Sequence, residues 1–185
     1  GINVPSGSIN LTANGCSATD KTNLAKLIWA DGNLKSTGSA NYVWGTYSEY
    51  GYYYTWYSTY TGNTSTNNTD PCTKLNVSTY GTSWRTPNSN ELTMLSRCTN
   101  KTLTNKGMWF MNNTIGLFLP ATGFRNHTQG SYTSVETDGT SGRYWSSSSN
   151  GSYAYALEFG NNSASVTSNN NRKANGLTVR CVKNK

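Results

Sequence analysis

Acidic side chains are scarce in this chain of 185 residues, with eight Asp and Glu against fifteen Lys and Arg. The net charge of +7 therefore comes from missing acids rather than from a basic block. Lys and Arg are scattered, and the densest local group is Arg172-Lys173. A nucleic-acid binder would show a clustered basic stripe, so no nucleic-acid partner is expected. Weak attraction to acidic glycans or a negative cell surface fits the charge better. Histidine is represented by His127 alone and no CxxC pair exists, which excludes the common zinc patterns. Long apolar runs are missing too, so no membrane-spanning helix is expected. No signal-peptide pattern precedes Gly1, and a processed chain is the expectation.

Aliphatic residues and good helix formers are few, while Asn, Thr, Ser, Gly and Tyr dominate. That balance favours turns and strands. Disorder is excluded by six Trp and thirteen Tyr, which supply large areas to bury. The length fits one domain over residues 1–185, with 1–23 as an extended lead-in. Four cysteines (Cys16, Cys72, Cys98 and Cys181) in so polar a chain point to two disulfides and an oxidising location. The Asn-x-Ser/Thr sequons at Asn10, Asn76, Asn100 and Asn126 are expected by chance in such a composition.

Periodicity places a short strand around Leu27–Ala30. In "YSEYGYYYTWYSTY", Tyr47 to Tyr60, seven of fourteen residues are tyrosine. Alternation after Gly51 sets Tyr52, Tyr54 and Trp56 on one face and Tyr53, Thr55 and Tyr57 on the other. Tyr54 and Trp56 are expected in the core, and Tyr50, Tyr53 and Tyr57 at the surface. "TPNSNELTMLSRC" reads as a helix with Pro87 in its first turn and Asn88 or Ser89 as cap. Leu92, Met94 and Leu95 form its apolar side, and Arg97 sits in its last turn. "GMWFM" and "GLFLPATGF" read as a hairpin around Asn112-Asn113. "GRYWSSS", "SYAYALEFG", "SASVTSN" and "GLTVRCVK" read as four strands of an antiparallel meander.

Five pieces in order, "DPC", "WRTPNSNEL", "LPATGFRN", "GRYWSSS" and "GLTVRCVK", resemble the Fibrobacter succinogenes major paralogous domain. "IWADGNL" and "YGYYYTW" upstream extend the resemblance across the chain from about Leu27 onward. That family, common in surface lipoproteins and fimbria-associated proteins of Bacteroidetes, is similar to formylglycine-generating enzymes and to variable proteins of diversity-generating retroelements. The resemblance implies an α+β, C-type-lectin-like fold: twisted antiparallel sheets with two short helices and long loops. It also implies a Cys72–Cys181 bridge, leaving Cys16–Cys98 as the second pair. One departure is the insert "TKLNVSTYGTS" after the "DPC" cysteine, which is expected to restore a short first helix.

The reactive groups point away from an enzyme. The cysteines are explained as bridges, and His127 has no carboxylate nearby in sequence to orient it. Glu136 and Asp138 lie close enough to ligate calcium weakly, yet they fit a polar loop equally well. The Glu-Pro-Asn, Gln-Pro-Asp and Trp-Asn-Asp triplets of calcium-dependent lectins do not occur. No metal and no cofactor are expected. Two carboxylates distant in sequence can still converge in a fold, so a carbohydrate-active enzyme is the competing class. A structural module of a fimbria or cell-surface assembly is the third.

The candidate binding face is "NGSYAYALEFGNNSASVTSNNNRKANG". Its alternation turns Leu157 and Phe159 inward. Asn161, Asn162, Asn169, Asn170, Asn171 and Asn175 are left in loops, with Tyr153, Tyr155 and Arg172. In the retroelement variable proteins this region displays the diversified residues, and adenine-directed mutagenesis acts strongly on Asn codons. Arg143, Ser147 and Ser149 are expected to border the face, Trp145 to lie in the core, and Arg125 to order the loops through its five fixed donors. The expectation is a secreted or surface-displayed domain that binds a protein or glycan without metal. Lipid anchorage and placement in a fimbria or phage particle both remain open, and so does the oligomeric state.

Overall fold

Capping side chains set where the helices of this computed structural model begin; it describes residues 15–37, 41–127, 139–161 and 163–185. Asn88 accepts from the Glu91 N–H while Glu91 reaches back to the Asn88 N–H, a reciprocal cap that starts α3 (Ser89–Arg97). Leu92 and Leu95 are the residues of its inner side. Ser17 caps α1 (Ala18–Ala25) by accepting from the Asp20 N–H. Residues 18–23 are therefore helical rather than part of an extended lead-in. Asp70 and Asn76 cap a 3₁₀ turn (Pro71–Lys74) and the four-residue α2 (Val77–Tyr80). The insert after Cys72 thus does carry a short helix. Three α-helices stand among the described residues where two were expected.

The strands are short and antiparallel. β1 (Leu27–Trp29) pairs with β10 (Val182–Asn184), and β2 (Leu34–Lys35) pairs with β3 (Val43–Trp44). β4 (Asn100–Thr104), β5 (Gly107–Met111) and β6 (Gly116–Pro120) form one meander. β7 (Gly142–Asn150), β8 (Tyr153–Gly160) and β9 (Ser163–Thr167) form a second, with β8 central. "GLTVRCVK" does not continue it as a fourth strand. Instead Leu177 pairs with Tyr54, Thr178 bridges Tyr144, and Val182 is shared between Trp29 and Arg85. The final segment therefore threads between elements distant in sequence and ties them together.

Two cores result. Leu92 and Leu95 of α3 pack with Met108, Phe110, Leu157 and Phe159 in the first. Tyr54, Trp84, Phe124, Trp145, Leu177 and Val179 fill the second, around the Cys72–Cys181 bridge. Complete burial of a Phe-sized side chain stabilises by ~1.5–3 kcal/mol, so aromatics replace the missing leucines. The second bridge, Cys16–Cys98, fastens the start of α1 to the end of α3. Two disulfides are compatible with an extracellular location. No described helix is long and apolar enough to cross a membrane.

The tyrosine stretch is not a strand with two alternating faces. Gly51 turns the chain at φ +73°, after which Tyr52 is 44% exposed and Tyr54 fully buried. Tyr54 exchanges backbone hydrogen bonds with Leu177 as an isolated pair. Arg125 orders the neighbouring loops by donating to the carbonyl oxygens of Tyr53, at 2.6 Å, and Thr61.

Candidate functional site

β8 presents Tyr153, Tyr155, Leu157 and Phe159 on one face and Ala154, Ala156 and Glu158 on the other. The second face receives the segment after β9. There Asn171 is fully buried: its amide donates to Glu158 Oε1 and to the Thr167 carbonyl, both at 3.0 Å. Its side-chain oxygen accepts from Arg143 at 3.2 Å. Asn175, 2% exposed, donates to the Asn170 carbonyl at 3.1 Å and accepts from the His127 N–H at 3.0 Å. Neither amide is available to a ligand. Both were expected at the surface, and both instead hold the loop in place. A buried amide left without partners would cost about 1–3 kcal/mol, so these pairings lock the backbone around residues 168–175.

Arg143 belongs to the same framework. It stands opposite Glu158 in register, with Nε 3.5 Å from Oε1, and its guanidinium lies 3.7 Å from the Phe124 ring centroid. Ser147 lies in the irregular stretch between Trp145 and Ser149, and its N–H donates to the Pro87 carbonyl, tying β7 to the start of α3. Tyr155 is half-buried within β8. Asn161 occupies the turn after β8 in the left-handed region, φ +48°, which asparagine tolerates. That turn is at the opposite end of β8 from Tyr153, roughly 23 Å away at ~3.3 Å per residue. Asn161 thus does not join the other candidates. Asn162, Glu136 and Asp138 lie outside the described residues.

What remains is a ridge at the other end of the sheet. Asn169, Asn170 and Arg172 are exposed there. Arg172 pairs with Tyr153 and holds its guanidinium 5.0 Å from that ring centroid. Lys173 sets its ammonium 4.4 Å from the Trp56 ring centroid and its N–H on the Ser152 carbonyl. Trp56 donates its backbone N–H to the Lys173 carbonyl, and Tyr57 packs against Trp56 at 5.3 Å between centroids. The hairpin tip between β7 and β8 is joined on as well, since the Asn150 amide donates to Ser168 Oγ at 3.1 Å. Sequence reasoning missed Trp56, Tyr57 and Lys173 as members of this site. The signals were present, in the basic doublet and in the end of the tyrosine stretch, but nothing local joins residues over a hundred positions apart.

Tyr57 is held at φ +47°, a region that a bulky side chain occupies only under constraint. The Tyr57→Gly and Tyr57→Ala variants both lose the ring, but only glycine sits there without strain. Tyr57→Gly is expected to be more stable than Tyr57→Ala by about 1 kcal/mol in urea denaturation. Equal stabilities would mean that the left-handed backbone is not strained.

Four of the six described carboxylates are committed to structural partners. Glu49 pairs with Lys35 at 3.2 Å, Glu91 with Arg85 at 2.5 Å, and Glu158 with Arg143. Asp70 accepts from Cys72 and Thr86. The backbone N–H of Thr46, with Lys35, holds the Glu49 carboxyl below its ordinary range. His127 has its Nδ1 2.8 Å from the Asn175 side-chain oxygen, an amide rather than a carboxylate. No group of three or more potential metal ligands occurs among the described residues.

Residues 96–182 match the model of a family described as a domain of unknown function (DUF8237). The match runs from the end of α3 to the first residue of β10. It includes Tyr153, Arg172 and Lys173 but not the tyrosine stretch or Cys72. No curated protein and no solved structure matches the chain.

Proposed function

We propose that this chain is a secreted or surface-displayed ligand-binding domain, C-type-lectin-like in fold, which takes a protein or glycan on the ridge formed by Tyr153, Asn169, Asn170, Arg172, Lys173, Trp56 and Tyr57. The observation that carries the reading is the split among the asparagines. Asn171 and Asn175 are buried and fully engaged, while Asn169, Asn170 and Arg172 project from the loop they lock. A ligand therefore meets a surface that is already ordered, which lowers the entropic penalty of binding. Aromatic rings supply contact area, and the exposed amides and guanidinium supply hydrogen bonds.

The α+β architecture with antiparallel sheets supports the lectin-like reading, as does the bridge from the short helical region at Cys72 to Cys181. The five motifs, in order, support membership of the Fibrobacter succinogenes major paralogous domain or a retroelement-diversified relative. In a diversified protein, Asn169, Asn170 and Arg172 are the positions open to replacement. Asn171 and Asn175 are closed to it. The structural commitment of most described carboxylates supports binding over glycoside hydrolysis, which needs two acids across one cleft.

The test is a glycan and surface-protein binding screen, with and without EDTA, on the parent and on the triple variant N169A/N170G/R172A. Glycine at position 170 suits its left-handed backbone, φ +62°. Binding that survives EDTA and falls at least about tenfold in the folded triple variant is the expected result, in line with loss of charged hydrogen bonds. Equal binding by parent and variant, loss of binding in EDTA, or release of reducing sugar from a glycan would overturn it.

A further inference from the structure

Charge of one sign stands on the ridge. Arg172 is exposed and Lys173 half-buried, and neither joins an ion pair or donates a side-chain hydrogen bond among the described residues. Glu158, which receives the buried Asn171 amide, is already matched by Arg143. What touches the two cations is aromatic: Tyr153 has its ring centroid 5.0 Å from the Arg172 guanidinium, and Trp56 has its own 4.4 Å from the Lys173 ammonium. A ring holds a cation in place through its quadrupole without neutralising it. The backbone beneath them is fixed as well. The Arg172 carbonyl accepts from the Asn175 N–H, and the Lys173 carbonyl from the Trp56 N–H, both at 2.9 Å.

We infer that the ligand of the ridge is an anionic glycan, whose sulfate or carboxylate groups are taken by Arg172 and Lys173. This rests on the ridge being the binding face. The planar fork of Arg172 matches either oxyanion with two parallel hydrogen bonds, and Lys173 adds a point charge beside it. The exposed amides of Asn169 and Asn170 each donate and accept, which suits the hydroxyls of the same sugars.

The competing ligand classes fit less well. A neutral sugar wants an open aromatic face and a free indole N–H. Trp56 offers little of either: it is half-buried, Lys173 lies over it, Tyr57 packs against it, and its indole N–H donates to the Ser146 carbonyl at 2.9 Å. An acidic peptide orders its own backbone on binding and needs an apolar anchor to offset that. Here the rings are occupied by cations. A nucleic acid needs a longer basic track or rings free to stack on bases, and the ridge has a single basic doublet.

The full chain is titrated calorimetrically with dextran sulfate, oligogalacturonate, neutral dextran and polyglutamate. Binding of at least one of the two anionic glycans, and not of neutral dextran, is the expected result. The better of the two identifies sulfate or carboxylate as the group recognised. Affinity should fall roughly tenfold or more as salt rises from about 0.05 to about 0.5 M. R172Q/K173Q should weaken binding at least about tenfold, through loss of charged hydrogen bonds. K21Q/K106Q removes as much charge from exposed positions on α1 and the β4–β5 turn, and should bind like the parent. Salt dependence in the parent reads the same interaction without any substitution. Absence of anionic-glycan binding, tighter binding of polyglutamate or neutral dextran, insensitivity to salt, or equal losses in the two variants would overturn the inference. A neutral ligand that is lost in N169A/N170G/R172A would sink this inference and leave the ridge standing. An anionic glycan bound equally by the parent and R172Q/K173Q would remove the ridge as its site.

Discussion

Replacing Cys72 and Cys181 together by alanine is expected to lower the melting temperature by roughly 10–20 °C. The bridge closes a loop of 109 residues. Restricting the unfolded chain over that length contributes ~4.8 kcal/mol in the chain-entropy model, and a domain of this size loses about 2–4 °C per kcal/mol. The folded state adds to the effect. Cys72 and Cys181 are 1% and 0% exposed in the second core, beside Trp84 and Trp145. The Asp70 turn that positions Cys72 also receives the Thr86 backbone N–H at 2.8 Å, so loosening one end frees two segments. Cys16–Cys98 closes a loop of 82 residues, but Cys16 is only half-buried. Its removal should cost less. Calorimetry of both double-alanine variants checks the order, and a shift of only a few degrees for Cys72/Cys181 would show that packing alone holds the second core.

The second large effect is expected at Arg180, one residue before that bridge. It is 2% exposed, and its guanidinium donates to Asn33 Oδ1 at 2.9 Å, to the Ala30 carbonyl at 3.2 Å and to the Phe118 carbonyl at 3.1 Å. Burial pulls its pKa down to about 10, against the opposing influence of Tyr144 and Asp31, so it remains charged near neutral pH. Asn33 passes the link onward, donating to the Tyr50 carbonyl and to the Tyr144 hydroxyl, which in turn donates to the Pro120 carbonyl. One planar cation thus joins the end of β1, the tyrosine stretch, β6 and β7. Arg180→Ala leaves a cavity and three buried acceptors without donors. We expect a loss of ~3–5 kcal/mol in urea denaturation. Arg180→Lys keeps the charge, yet one ammonium on a flexible stem cannot span three acceptors in different directions, so most of the loss should persist. Parent-like stability in Arg180→Lys would mean that charge, rather than the fork geometry, is what the core requires.

Local chemistry was enough for several elements. α3 was legible because Asn88, Glu91, Leu92 and Leu95 all act within one or two turns of each other. The β5–β6 hairpin and the β7–β8–β9 meander were legible from alternation and turn residues. α1 was not, because only Leu24 of its residues is buried and its anchorage comes from Cys98, 82 positions beyond Cys16. β4 was missed for a related reason: "NKTLT" is polar, and pairing with β5 alone makes it a strand.

The site divides in the same way. Sequence by itself determined an antiparallel, aromatic-cored, strand-rich chain with one capped helix, two disulfides and an Asn-rich segment before its last strand. Composition and short-range periodicity are enough for that. It placed Asn169, Asn170, Asn171 and Asn175 in one class, since nothing in their neighbours tells them apart. Only the tertiary structure decided that Asn171 goes inside to Glu158 and Arg143, and Asn175 to His127 and Asn170, while Asn169 and Asn170 stay in water. The same holds for Tyr52, which alternation put on one face with the buried Tyr54 and which the fold leaves exposed, and for the meeting of Trp56 with Lys173. Burying a polar or amphipathic side chain depends on whether a partner waits for it, and these partners come from distant parts of the chain that only folding brings within hydrogen-bond reach.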